Sequence, residues 1–133
     1  MKKLLILMLL GVLFVPMNGS AKADEVFYCQ SEAATGLFEE NGIRKSSTFQ
    51  LKRYTIKFSS DYTIMKGLRD DYFCLNKPKS TIRNRHICRH LSDIGNTFIF
   101  DSQSKRFVFS TANFFTYFDT ATPTIEAGTC EKF

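Results

Sequence analysis

Tryptophan is absent from this 133-residue chain, and histidine occurs only twice. Also missing are the G-x-S-x-G elbow, the C-x-x-C pair, the H-E-x-x-H zinc helix and any glycine-rich phosphate loop. The sequence therefore carries no signature of those hydrolases, dithiol oxidoreductases, zincins or P-loop enzymes. No segment sustains an apolar i, i+3, i+4, i+7 pattern, which argues against a helical architecture; a single helical turn around residues 31–38 is the one exception expected. Repeats, low-complexity tracts and linkers are absent too, so one domain accounts for the chain. The one N-x-S/T triplet starts at Asn18, inside the leader segment described next, and no glycosylation site is expected beyond it.

What is present begins with that leader. Lys2 and Lys3 precede an apolar run over residues 4–15, and Ala21-Lys22-Ala23 has the small-x-small pattern of a cleavage site. The run is too short to cross a bilayer as a helix, and the pattern predicts a secretory signal peptide over residues 1–23. No cysteine lies near the cleavage point, which argues against a lipoprotein. The mature protein is then a single domain, residues 24–133, periplasmic or secreted, with no transmembrane segment.

Export changes the electrostatics. Lys2, Lys3 and Lys22 leave with the leader, so fifteen bases face thirteen acids and the net charge falls from +5 to +2. The remaining charge is unevenly placed: residues 24–40 hold five acids and no base, and residues 44–89 hold twelve bases and three acids. Such a basic middle either meets an acidic surface or is balanced by acids that the fold brings near it, and balance within the fold is the commoner case. Nucleic acid is not an expected partner, because affinity there scales with the number of phosphates neutralised.

All four cysteines, Cys29, Cys74, Cys88 and Cys130, lie in the mature part. An even count in an exported chain of this size reads as two disulfides with three possible connectivities. The favoured pairing is Cys29–Cys130, joining the first strand to the last, with Cys74–Cys88 clipping neighbouring strands.

Along the mature chain the apolar period is close to two, and turn residues interrupt it at short intervals. Residues 25–30 open as a strand, followed by a polar stretch through Gly36 and a turn at Glu39-Glu40-Asn41-Gly42. Residues 48–59 read as one longer strand: Tyr54, Ile56 and Phe58 share a face, but Phe49 and Leu51 fall on the other, so a bulge or bend is expected near Lys52-Arg53. The clearest hairpin is residues 96–111, with Phe98 and Phe100 on one arm and Phe107 and Phe109 on the other. Residues 113–118 and 124–130 supply the last strands. About seven to nine short strands predict an all-β fold, a small antiparallel barrel or sandwich, and a bridge between its end strands favours a closed sheet. Thirteen of the fourteen phenylalanines remain after export. On alternating strand positions they are expected to fill the core, or else to line a barrel that holds an apolar ligand.

The segment Arg83-Asn84-Arg85-His86-Ile87-Cys88-Arg89-His90-Leu91 concentrates the residues that carry chemistry. Strand alternation puts His86, Cys88 and His90 on one face and Arg83, Arg85 and Arg89 on the other. Same-face neighbours are about 6.6 Å apart, so the two histidines stand about 13 Å apart and cannot clasp one ion with the cysteine, given zinc–nitrogen bonds of about 2 Å. With Cys88 expected in a disulfide, no thiolate is left beside a histidine base. The carboxylate pairs Asp70-Asp71 and Glu39-Glu40 sit at turns. No catalytic residue, metal or cofactor is assigned, and a non-enzyme is expected. Arg83, Arg85 and Arg89, with Lys77 and Lys79, form a candidate anion-binding strip for an acidic protein or polysaccharide.

Phe27-Tyr28-Cys29-Gln30-Ser31-Glu32-Ala33-Ala34-Thr35-Gly36 near the mature start and Ala127-Gly128-Thr129-Cys130-Glu131-Lys132-Phe133 at the end resemble the two ends of a group of small exported proteins of marine proteobacteria with no known activity. Residues 98–107 resemble that group's central hairpin. The resemblance implies a secreted β fold with terminal cysteines and transfers no functional residue. In plan, the chain is also similar to periplasmic inhibitors of c-type lysozyme, although that family's inhibitory loop motif has no counterpart here. The expected role is binding or inhibition through the basic strand face, and the alternative is a small carrier of an apolar ligand or lipid in a phenylalanine-rich interior.

Overall fold

Asn41 and Gly42 both have positive φ, 53° and 75°, as an Asn-Gly type I′ hairpin turn requires. They join β1 (Glu25–Glu40) to β2 (Ile43–Thr48) in a computed structural model that describes residues 22–75, 84–90, 95–111 and 122–133. The other strands are β3 (Arg53–Phe58), β4 (Ile64–Lys66), β5 (Tyr72–Leu75), β6 (Arg85–His90), β7 (Asn96–Asp101), β8 (Arg106–Thr111) and β9 (Thr124–Lys132). Among the described residues there is no helix. Every pairing is antiparallel, and β1 pairs with both β3 and β9, so β1 and β3–β9 close an eight-stranded barrel to which β2 adds a flanking strand.

The helical turn expected around residues 31–38 is not there. β1 runs unbroken for sixteen residues, and a bulge against β9 between Ser31 and Ala33 inserts one residue into its alternation. Phe27, Cys29 and Ser31 are buried before the bulge and Ala34 after it. The inward parity switches there, and the shift imitates a helical period in the sequence. Gly128 sits opposite Ser31. A Cβ at Gly128 would lie 2.0 Å from the Gln30 carbonyl oxygen, so only glycine lets β9 approach the bulge this closely.

The longer strand expected over residues 48–59 is divided into β2 and β3 by residues 49–52. Both halves keep one register frame against β1, from Glu40 opposite Ile43 to Thr35 opposite Thr48, and again from Gln30 opposite Arg53 to Glu25 opposite Phe58. Across the gap the Ser31 amide donates to the Lys52 carbonyl at 2.9 Å and the Phe49 amide to the Ala34 carbonyl at 3.0 Å. The result is one long bent hairpin whose tip projects as β2 and whose base forms barrel wall. Residues 113–118, expected as a strand, lie outside the described residues.

Inside the barrel, Phe27, Ile56, Phe58, Met65, Cys88, Phe98 and Phe100 are fully buried. Their rings touch: Phe27 and Phe100 have centroids 4.9 Å apart, Phe98 and Phe107 5.2 Å, and Phe58 and Phe100 5.3 Å. Each buried phenylalanine contributes about 1.5–3 kcal/mol by transfer from water, and each ring pair about 0.5–1.5 kcal/mol more.

The cysteines pair as expected, Cys29–Cys130 across the β1–β9 seam and Cys74–Cys88 between β5 and β6. Each pair stands directly opposite in register, with Cα atoms 3.9 and 3.8 Å apart. No cysteine is free, which is the chemistry of an oxidising compartment outside the cytoplasm.

Candidate functional site

β6 has the two faces its alternation predicts. His86, Cys88 and His90 point into the barrel and Arg85 and Arg89 point out, exposed. Lys77, Lys79 and Arg83 lie outside the described residues. Arg85 stands opposite Asp101 on β7, and Asp101 in turn stands opposite Arg106 on β8. Arg89 stands between Phe73 and Thr97.

Much of the basic middle is balanced by this chain's own acids: Arg44 by Glu39 at 3.7 Å, Lys45 by Glu40 at 2.6 Å, Lys52 by Glu126 at 3.1 Å, Lys57 by Asp24 at 2.9 Å and Lys66 by Asp71 at 3.4 Å. Arg53, Arg69, Arg85, Arg89 and Arg106 differ. Among the described residues none of them has a carboxylate within ion-pair distance, although the charge of Arg85 helps to hold the Asp101 carboxyl below the ordinary range, after the backbone amide of Ser104.

The two histidines serve opposite ends of the barrel, with the Cys74–Cys88 bridge between them. At one end, His86 stacks on Tyr62 at 4.2 Å and lies beside Phe58 and Phe100. Burial among these rings pushes the imidazole below its ordinary pKa, against the opposing pull of Asp101 and Glu25. The Tyr62 hydroxyl donates to Glu25, which also pairs with Lys132 at 3.3 Å. This end is plugged by rings and closed by charge.

At the other end the described residues line a mouth. His90 lies 3.6 Å from Asp70 and edge-on to Tyr72, beside a cavity of about 790 Å³ that Tyr54, Arg69 and Phe109 also line. Beneath the mouth is Glu126, a residue that sequence reasoning left in an unremarked strand. It is only 2% exposed. Its Oε2 accepts from the Tyr54 hydroxyl at 2.6 Å and from Ser31 Oγ at 3.0 Å, and its Oε1 accepts from Lys52 Nζ at 3.1 Å. The single Ser31 proton lies between Glu126 and the Lys52 carbonyl, also 3.0 Å away. Burial, then the adjacent carboxylate, holds the Tyr54 hydroxyl well above the ordinary tyrosine range, so it stays a donor. The network ties β9, β1, β3 and the 49–52 crossing together where the bulge has broken the ladder.

A signal for Glu126 does exist. Cys130 points inward to reach Cys29, and every second residue back from it, Gly128 and Glu126, shares that direction. The apolar residues of β9, Ile125 and Ala127, therefore face out.

The molecule is thus a disulfide-stapled, eight-stranded antiparallel barrel with an aromatic core, a polar mouth and exposed arginines on its outer wall. No family model, no curated protein and no solved structure matches the chain.

Proposed function

We propose that this is an exported, non-catalytic binding protein, inhibitor-like in action, that engages an acidic partner through the outer wall around β6. One grouping carries the reading: five basic residues of the middle segment are paired with the chain's own acids, whereas Arg85, Arg89 and Arg106 stand exposed, without an ion pair among the described residues, and together on one wall. Arg53 on β3 and Arg69 between β4 and β5 also lack one and lie apart from that group. Exposed guanidiniums on a rigid sheet hold their forks ready for carboxylates at small entropic cost. Outward charges at Lys57, Lys66, Arg85, Arg89 and Glu131 support a barrel outside the bilayer, since a spanning barrel carries an apolar band about 25 Å tall. The carrier alternative has no observation in its favour, because rings in mutual contact fill the barrel and the mouth cavity is lined chiefly by polar and charged groups.

The test uses poly-L-glutamate as a model acidic surface. The mature protein is expected to bind it in a salt-dependent manner, and the Arg85→Glu/Arg89→Glu variant to lose that binding. A Lys57→Glu/Lys66→Glu variant, with the same change of net charge on another part of the wall, is expected to retain most of it. Equal losses in the two variants would show diffuse charge attraction and refute a specific face.

A further inference from the structure

Register places an apolar row across the strands of the same wall. Leu75 on β5 stands opposite Ile87 on β6, Ile87 opposite Ile99 on β7, Ile99 opposite Val108 on β8, and Val108 opposite Ala127 on β9. All five point outward. Leu75 is 50% exposed and Val108 40%, and Ile87, Ile99 and Ala127 are half-buried. At one end the row widens through Phe73, itself exposed and opposite Ile64. With strands about 4.8 Å apart, the row runs about 19 Å round the barrel. Arg85 and Arg106 flank it on one side and Arg89 on the other, with Asp101 the only acid in the two flanking rows over β5–β8.

We infer that this row is the anchor of the proposed interface, and that the partner is therefore a protein presenting apolar side chains flanked by carboxylates, not a polysaccharide. The inference rests on the binding reading above and narrows it. A sugar polymer satisfies guanidiniums but offers aliphatic side chains little to pack against. A protein surface with an apolar centre and an acidic rim satisfies both, in the usual arrangement of specific interfaces. A second copy of this chain fits poorly, because a twofold contact through one patch sets three guanidiniums against three others with only Asp101 to relieve them. A flat anionic bilayer fits poorly as well. The row crosses five of the eight strands of a convex wall, so a plane meets only part of it, and Asp101 would face anionic headgroups.

The experiment compares poly-L-glutamate with a glutamate–tyrosine copolymer matched for glutamate number, titrated at fixed salt against the mature protein. The copolymer is expected to bind about tenfold more tightly, the gain available from covering the exposed parts of Leu75 and Val108. The Leu75→Ser/Val108→Ser variant, altered only at exposed positions and checked for unchanged thermal unfolding, is expected to bind both polymers alike and at the poly-L-glutamate level. The Arg85→Glu/Arg89→Glu variant loses both. Equal affinity for the two polymers, or a preference that survives the serine substitutions, overturns the apolar anchor and leaves the binding reading standing. Failure of either polymer to bind overturns the binding reading itself. Tighter binding to phosphatidylglycerol vesicles than to the copolymer, or a concentration-dependent dimer abolished by the serine substitutions, assigns the row to lipid or to a second copy and overturns the inference.

Discussion

Replacing Glu126 tests whether the carboxylate under the mouth holds the barrel together. Burying a carboxylate costs several kcal/mol, which its donors must offset. Tyr54 and Ser31 donate from partly or fully buried positions, and a hydrogen bond to a charged group is worth about 1.5–3 kcal/mol. Lys52 contributes less: its side chain is 57% exposed, so water replaces the lost partner, and the pairing is worth less than about 1 kcal/mol. Glu126→Ala strands the two hydroxyls but removes the desolvation cost, giving a net loss of about 3 kcal/mol. Glu126→Gln keeps a carbonyl for Tyr54 but turns an amide toward Lys52, and about 1.5 kcal/mol is expected. Tyr54→Phe leaves a buried charge short of its closest donor, for about 2 kcal/mol. Lys52→Ala falls below about 1 kcal/mol. Against a total of about 5–15 kcal/mol these differences are measurable by denaturant unfolding with the disulfides intact. The order decides the matter. Lys52→Ala as damaging as Glu126→Ala, or Tyr54→Phe costing less than about 0.5 kcal/mol, would refute the assignment of the stabilisation to the two hydroxyls.

Three further outcomes follow from the same framework. His86 has its pKa lowered by burial, so the unfolded chain takes up its proton first. The histidine's contribution to stability is full above the unfolded value of about 6.5 and is lost as the pH falls below it toward the folded value. Glu25 and Asp101, also lowered, act in the same direction but only below about pH 4.5; unfolding measured between pH 7 and 5 should therefore lose most of its slope in His86→Gln, and an unchanged slope would place the titration elsewhere. Gly128→Ala forces a Cβ to within 2.0 Å of the Gln30 carbonyl oxygen and should cost about 1–3 kcal/mol or more, whereas a neutral result in thermal unfolding would mean that the β1 bulge relaxes freely. Removing the Cys29–Cys130 bridge, which spans 101 residues, should cost more than removing Cys74–Cys88, which spans 14, at about 4.7 against about 3 kcal/mol in the chain-entropy model; equal losses in paired alanine variants would count against that model here.

Much of this architecture was legible in the sequence because local chemistry and global fold agree. Asn41-Gly42 specifies its turn, the Phe98/Phe100 and Phe107/Phe109 arms specify their hairpin, and the four cysteines pair across adjacent strands. Misreadings cluster where β1 crosses from β3 to β2. The small and polar run Ser31-Glu32-Ala33-Ala34-Thr35-Gly36 has no apolar alternation to mark a strand, and the bulge shifts what parity there is. Residues 49–52 leave the strand at the same level, so the expected bend near Lys52-Arg53 was sound while the unbroken strand around it was not. Glu126 was missed for a related reason. Alternation on β9 invites Ile125 and Ala127 into the core, yet Ile125 is 54% exposed and the carboxylate is buried.

Cysteine parity resolves both faces at once. Cys29, Cys74, Cys88 and Cys130 all point into the barrel, so on each of their strands the inward set is known without reference to hydropathy. On β5 this sends Phe73 and Leu75 outward, on β6 Ile87, and on β9 Ile125 and Ala127. Their exposure is then a consequence of the disulfide framework, not a failure of patterning. An antiparallel sheet that met only water on this wall would carry polar residues there. Five strands instead place an aliphatic side chain in one row, and the nearest guanidiniums are left without carboxylates among the described residues. Solubility alone explains neither feature, and a fold already stapled by two bridges gains little stability from an outward Leu75 or Val108. The proposed contact with an acidic, partly apolar protein surface would account for both.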